Sequence, residues 1–299
     1  MYKVSRAFTM IELIFVIVVM GILSKFGVEF LAQAYNNFIF SKINNSLQSK
    51  SVSALEGIAS RLQFRIKDSV IARKDTTTFQ ALGGSTLGKD ATILEWVGMD
   101  VDGLRGDSNS TWGGVIDLDN SNATTLKAPG SDLNATNSVI DALSYGNSGI
   151  NDAAIYFVGS DSNINKYGWT STGSGAAALS EHNSSVMHPI SANVNDFNSS
   201  IAGVDFSGTD IYEYYKLAWT AYAVSLKDGN LTLHYDYQPW NGDSYLLQSD
   251  GTTPTKNVLL MQDVDTFRFK SIGSVVKIQI CVNSNIVEDY SLCKEKTIY

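Results

Sequence analysis

The chain has 299 residues, 22 Lys and Arg against 30 Asp and Glu, and a formal charge of −8. No Lys/Arg cluster interleaved with aromatics is present and the acidic balance repels a phosphate backbone, so nucleic acid is excluded as a partner. Three scattered histidines, two cysteines and no glycine-rich phosphate loop leave no nucleophile and base in a motif, which excludes an enzyme and implies no cofactor.

The first element is an apolar run from Phe8 to Leu23, with one carboxylate, Glu12, and with Lys3 and Arg6 before it. One-sided amphipathicity is missing, which argues against a buried core helix and for a membrane span. An unpaired carboxylate in hydrocarbon costs roughly 2.5 to 3.5 kcal/mol on insertion scales, so Glu12 needs a positive partner. Basic residues before the span and an acidic bulk after it place Met1 in the cytoplasm and the remainder outside. Two plainer readings compete. A signal peptide cut after Ala34 has to accept Glu12 inside its apolar region and Lys25 and Glu29 before the cut. A plain single-span anchor accounts for the length and leaves Phe8-Thr9-x-x-Glu12 without a reason.

The stretch Arg6-Ala7-Phe8-Thr9-Met10-Ile11-Glu12-Leu13 resembles the N-terminus of the type IV filament family, the type IV pilins and the pseudopilins of type II secretion. The resemblance implies a leader of residues 1–7, cut by a prepilin peptidase between Ala7 and Phe8, followed by N-methylation of Phe8. It also implies that Glu12 neutralises the N-terminal amine of a neighbouring subunit during assembly, which offsets the desolvation both groups suffer. Without the leader the balance is 20 basic against 30 acidic side chains, or −10. Most members carry Gly where this chain has Ala7, so slower processing is expected. Glu29 stands where many pilins have a kinking proline, and the kink is not carried over.

No proline occurs before Pro129, so a helix is expected from residue 8 to about residue 73. Residues 8–31 are its transmembrane and assembly part and residues 32–73 an amphipathic part, with Leu47, Val52, Leu55, Ile58, Leu62, Ile66 and Ile71 as the stripe a sheet would cover. Gly21, Gly27 and Gly57 are weak points, each costing about 1 kcal/mol relative to Ala. Residues 74–299 read as a β-rich head.

In the head, Gly, Ser, Asn, Asp and Thr dominate to about residue 210, broken by the short apolar runs 93–97, 115–118 and 153–158, which read as strands. The long loop at residues 166–185 reads as functional or mobile. Asp100 with Asp102 and Asp117 with Asp119 offer hard oxygen ligands at alternate positions, which suits Ca²⁺, although neither is followed by a bidentate Glu and Asp also simply makes turns. Residues 215–226 and 231–237 flank Asp228-Gly229-Asn230 as a hairpin, with φ > 0 expected at Gly229 and Asn230. A second hairpin joins residues 266–270 to 275–282 through Gly273. The aromatics among residues 212–240 read as cross-strand core pairs rather than an adhesive surface. Cys281 and Cys293, close together in an exported chain, read as a disulfide. Two thiols alone do not make a metal site, and His182, His188 and His234 lie far off in sequence.

Residues 259–269, paired leucines leading through Val264 into Phe267-x-Phe269, also resemble a stretch of the larger minor pilins and pseudopilins, the W- and J-type subunits. The expectation is an α+β, pilin-like chain: a long N-terminal helix packed on an antiparallel sheet head with enlarged loops. The resemblance implies a structural minor subunit of a pilus or pseudopilus at a tip or priming position, single-pass in the bacterial inner membrane with its head in the periplasm. Its partners would be other pilin or pseudopilin subunits, the prepilin peptidase and the membrane. The rival reading is a membrane-tethered adhesin or Ca²⁺-binding receptor.

Overall fold

A computed structural model describes residues 9–106, 109–169, 178–284 and 290–299. Its axis is one helix, α1 (Met10–Leu62), of 53 residues, about 80 Å at 1.5 Å per residue. Thr9 caps it. The Glu12 N–H donates to Thr9 Oγ1 at 3.4 Å while the Thr9 N–H and hydroxyl donate to Glu12 Oε2 at 3.0 and 2.9 Å, a reciprocal arrangement that satisfies two otherwise orphaned donors.

The helix ends at Leu62 rather than near Arg73. Ile66 and Ile71 stand five apart, about 140° around a helix, so they cannot share one stripe. The chain instead leaves the helix to join a sheet: the Ile66 N–H donates to the Val97 carbonyl at 2.9 Å, and residues 71–73 become strand β1 (Ile71–Arg73). Arg65 closes the helix end, donating to the carbonyls of Leu62 at 2.8 Å, Ser274 at 2.6 Å and Tyr299 at 3.4 Å. On the helix itself Ile43, Ala54, Leu55, Ile58, Ala59 and Leu62 face inward, whereas Val52, expected in the stripe, is exposed.

Among the described residues three sheets form the head, and every strand pairing is antiparallel. The largest runs β11-β10-β9-β3-β1-β2, joining β2 (Phe79–Ala81), β3 (Ile93–Gly98), β9 (Thr220–Lys227), β10 (Asn230–Tyr237) and β11 (Lys256–Met261) to β1. A second, β12-β13-β14, comprises β12 (Val264–Ile272), β13 (Val275–Asn283) and β14 (Ser291–Ile298). The third, β4-β7-β6-β5-β8, comprises β4 (Thr125–Leu126), β5 (Ala154–Phe157), β6 (Met187–Asn193), β7 (Asp196–Ser199) and β8 (Tyr215–Ala218).

Apolar alternation sorts these sheets into three cores. The lower half of α1 shares one core with Leu94, Trp96, Val224 and Leu233 of the six-stranded sheet and with Ile278, Ile280 and Ile298 of the three-stranded sheet. The opposite face of the six-stranded sheet packs Ile93, Val97 and Ala223 against Tyr156, Tyr167 and Met187. A third core lies between the five-stranded sheet and helix α3 (Leu133–Ser144), where Leu133 and Ile140 meet Ile155, Phe157 and Leu217.

Three head elements differ from the sequence reading. Residues 115–118 form no strand; isolated bridges hold Val115 to Tyr214 and Asp117 to Lys127. The expected strand over 215–226 is two, β8 and β9, which separate at Trp219 and enter different sheets. Its hairpin turn places positive φ at Asp228 (50°) and Gly229 (77°), one residue earlier than expected, which suits the right-handed twist of the paired strands.

Candidate functional site

The bare half of α1 stands apart from everything else. Near the N-terminus it is long and apolar enough to cross a membrane, and its most apolar 18-residue window has none of its residues buried against the rest of the chain. Met10 is 82% exposed, Phe15 69% and Phe30 70%. The exposed apolar surface continues through Tyr35 and Phe38 to Phe40, where the Phe40 ring meets the edge of Tyr290 at 5.8 Å. Glu12 has only its own cap as partner: Thr9 satisfies it, and no cation among the described residues pairs with it. Ala7 and Phe8, the expected cut and methylation site, lie outside the described residues.

Below this the helix is locked into the head. Tyr290 donates to Asn44 Oδ1 at 3.0 Å, Ser51 donates to the Met261 sulfur at 3.9 Å, and Lys296 pairs with Glu56. Cys281 and Cys293 are joined in a disulfide and sit directly opposite each other in the β13–β14 register. Val276, Ile278, Ile280 and Val282 on β13 are buried toward α1, so Cys281 and its bridge face away from the helix. Cys293 lies inside a strand already hydrogen-bonded to its neighbour.

The acidic pairs do not converge. Asp100 is buried and caps the short helix α2 (Val101–Arg105), its two oxygens taking the Gly103 N–H at 3.1 Å and the Trp112 indole N–H at 3.0 Å. Burial pushes its carboxyl up to about 6. Asp102 and Asp119 are exposed, and Asp117 is taken up by the Asn120 amide at 2.7 Å and backbone N–H at 3.2 Å, which hold it below the usual carboxylate range. Among the described residues no group of three or more His, Cys, Asp or Glu is arranged to hold a metal ion.

The aromatic series is mostly core. Tyr215, Trp219, Tyr237 and Trp240 are buried, and only Tyr212 and Tyr214 are exposed. Tyr237 donates at 2.8 Å to Glu95, whose other oxygen pairs with Arg73 at 2.7 Å, all three side chains being buried. Sequence spacing gave no sign of this network, because its members come from three strands. Nor did it show that His182 and His188 pack together, ring centres 5.5 Å apart.

No protein-family model matches the chain, and no curated protein or solved structure matches it either.

Proposed function

We propose that this chain is a structural minor subunit of a type IV pilus or type II secretion pseudopilus, held in the bacterial inner membrane by α1 until it is assembled, with its head in the periplasm. What supports the reading is the division of α1 into a bare apolar half and a half buried in a large β head, joined to an N-terminal motif that resembles the family's. From Met10 to Phe40 the bare part measures about 46 Å, against a hydrocarbon thickness of about 30 Å. A simple anchor needs only the latter. The excess is apolar surface that neighbouring subunits would cover, and Glu12 is the one carboxylate in its first four turns. Prepilin peptidase and sister subunits are the partners this implies.

The reading is tested by mass spectrometry of the membrane-extracted protein from a host with the peptidase, which should find a chain beginning at N-methylated Phe8. An intact Met1, or a start at Tyr35, overturns it. Glu12→Val should insert as well as the wild type or better, yet disappear from sheared filaments. Absence of the wild-type protein from sheared filaments would favour the tethered receptor instead.

A further inference from the structure

Seven buried side-chain polar atoms in the described residues have no hydrogen-bond partner, and three of them belong to residues around one small cavity: His182 Nδ1, His188 Nδ1 and Thr209 Oγ1. The cavity is about 70 Å³ and is also lined by Asp161, Lys166 and Asp210. Native proteins leave few buried polar groups unpaired, each costing about 1–3 kcal/mol, and a cluster of them points to an ion or water that pairs with all of them. We propose that this cavity is a binding site for a divalent first-row transition-metal ion of the zinc and copper class, held by the imidazoles of His182 and His188.

The geometry suits an ion. Two imidazoles on one tetrahedral ion, each nitrogen about 2.0–2.1 Å from it, place their ring centres about 5 Å apart; here they are 5.5 Å apart. His182 Nε2 is held at 2.8 Å by the Ser199 hydroxyl, so Ser199 can accept from Nε2–H and leave the lone pair on Nδ1, the usual outer-shell arrangement for a ligating histidine. Phe206 stacks on His182 at 4.4 Å and Phe157 packs on His188 at 5.0 Å, fixing both rings before any ion arrives. The Asp161 and Asp210 carboxylates stand against one ammonium, Lys166, which pairs with Asp161 at 2.8 Å, and Asp205 adds its negative charge to the field at His182. This surplus favours a cation. With no third His, Cys or carboxylate in place among the described residues, Thr209 and solvent complete the shell, which leaves a position open to an exogenous ligand. Imidazole donors select zinc and copper over magnesium or calcium.

The test uses the full chain in detergent, without a polyhistidine tag, stripped of metal by chelator and dialysed. Titration with Zn²⁺ should show one ion per chain. Affinity should fall by more than about tenfold in His182→Gln and in His188→Gln, and stay unchanged in His234→Gln, whose ring lies in a different part of the head. Because either ligand variant can disturb packing, Cu²⁺ bound to the wild-type protein provides a second readout: its electron-spin-echo modulation should report two imidazoles. Stoichiometric binding with none or one imidazole, binding unchanged in His188→Gln, or no binding at all, leaving the cavity to ordered water, overturns the proposal.

Discussion

The two halves of α1 share one backbone and almost nothing else. Between Met10 and Phe40 the side chains are mostly apolar and largely exposed, with Glu12, Lys25 and Glu29 as the charged exceptions, whereas beyond it they are apolar on one side and packed against two sheets. A helix in water owes most of its stability to the face it packs, so the lower half is held by the head while the upper half has to find its surroundings in lipid or in other proteins. The comparison shows how a single element serves two solvents: the apolar period changes from continuous to one-sided within it, with no break in the helix.

The sharpest way to test this division is to damage the head where the helix does not reach. Arg73→Ala leaves the Glu95 carboxylate buried without its cation, and breaking such a pair from one side costs about 3–5 kcal/mol; urea denaturation of the detergent-solubilised protein should show the loss, with membrane insertion unchanged. Next comes the direct comparison of the two halves. Leu62→Ala removes a fully buried side chain from the first core and should cost about 2–5 kcal/mol. Leu23→Ala, whose side chain is 64% exposed, should leave the unfolding midpoint of the head within about 0.5 kcal/mol. Equal effects would mean that the bare half packs on the head after all.

Acid should separate the halves as well, since the buried titratable groups lie in the head. Burial holds His234 down to about 4, so the stability tied to its neutral form is complete above the unfolded value near 6.5 and is lost as pH falls through 4, by about 3 kcal/mol in full. Asp100 acts in the opposite direction. Its carboxyl, raised to about 6, contributes stability that is complete below its unfolded value of 3.8 and lost as pH rises through 6. His182 and His188 are held down in the same way, so the three histidines together outweigh Asp100, and chemical denaturation of the metal-free protein from pH 7 to pH 4 should show a fall in the wild type that is shallower in His234→Gln. The most local effect is expected at the disulfide. Cys293→Ser removes a closed loop worth about 2–3 kcal/mol in the chain-entropy model, and because β14 keeps its backbone pairing, cleavage by a protease should be confined to the C-terminal segment.

What the sequence made legible was what rests on local signals. The long helix follows from an apolar, proline-free run, although the Thr9–Glu12 cap that starts it at Met10, not at residue 8, went unread. The hairpins follow from Asp228-Gly229 and Gly273, and the disulfide from two cysteines in an exported chain. The rest depended on distant partners. Helix α3 hides its buried side, Leu133, Thr136, Ile140 and Ser144, among Asn, Ser and Thr, so composition argued for loop while spacing argued for helix. Trp219 breaks a continuous apolar run because two sheets compete for it, which local propensity cannot express. The histidine pair stands between the two classes: His182 and His188 are near in sequence, but Phe157 and Phe206, which pack on their rings, come from other parts of the head.

The first core sets the order in which this chain can mature. The inner face of α1 is made well before its cover, which includes Ile278, Ile280 and Ile298; the Glu56–Lys296 contact joins positions 240 apart. At about 5–20 residues per second, the helix waits about 10–50 s for that cover to be synthesised, and contacts of such long sequence separation also fold slowly. During that interval Leu55, Ile58 and Leu62 stand open, and on the membrane reading proposed above the upper half is already held in lipid. A chain stalled before Ile298 therefore leaves this apolar face open, and β14 closes the first core in time as well as in space.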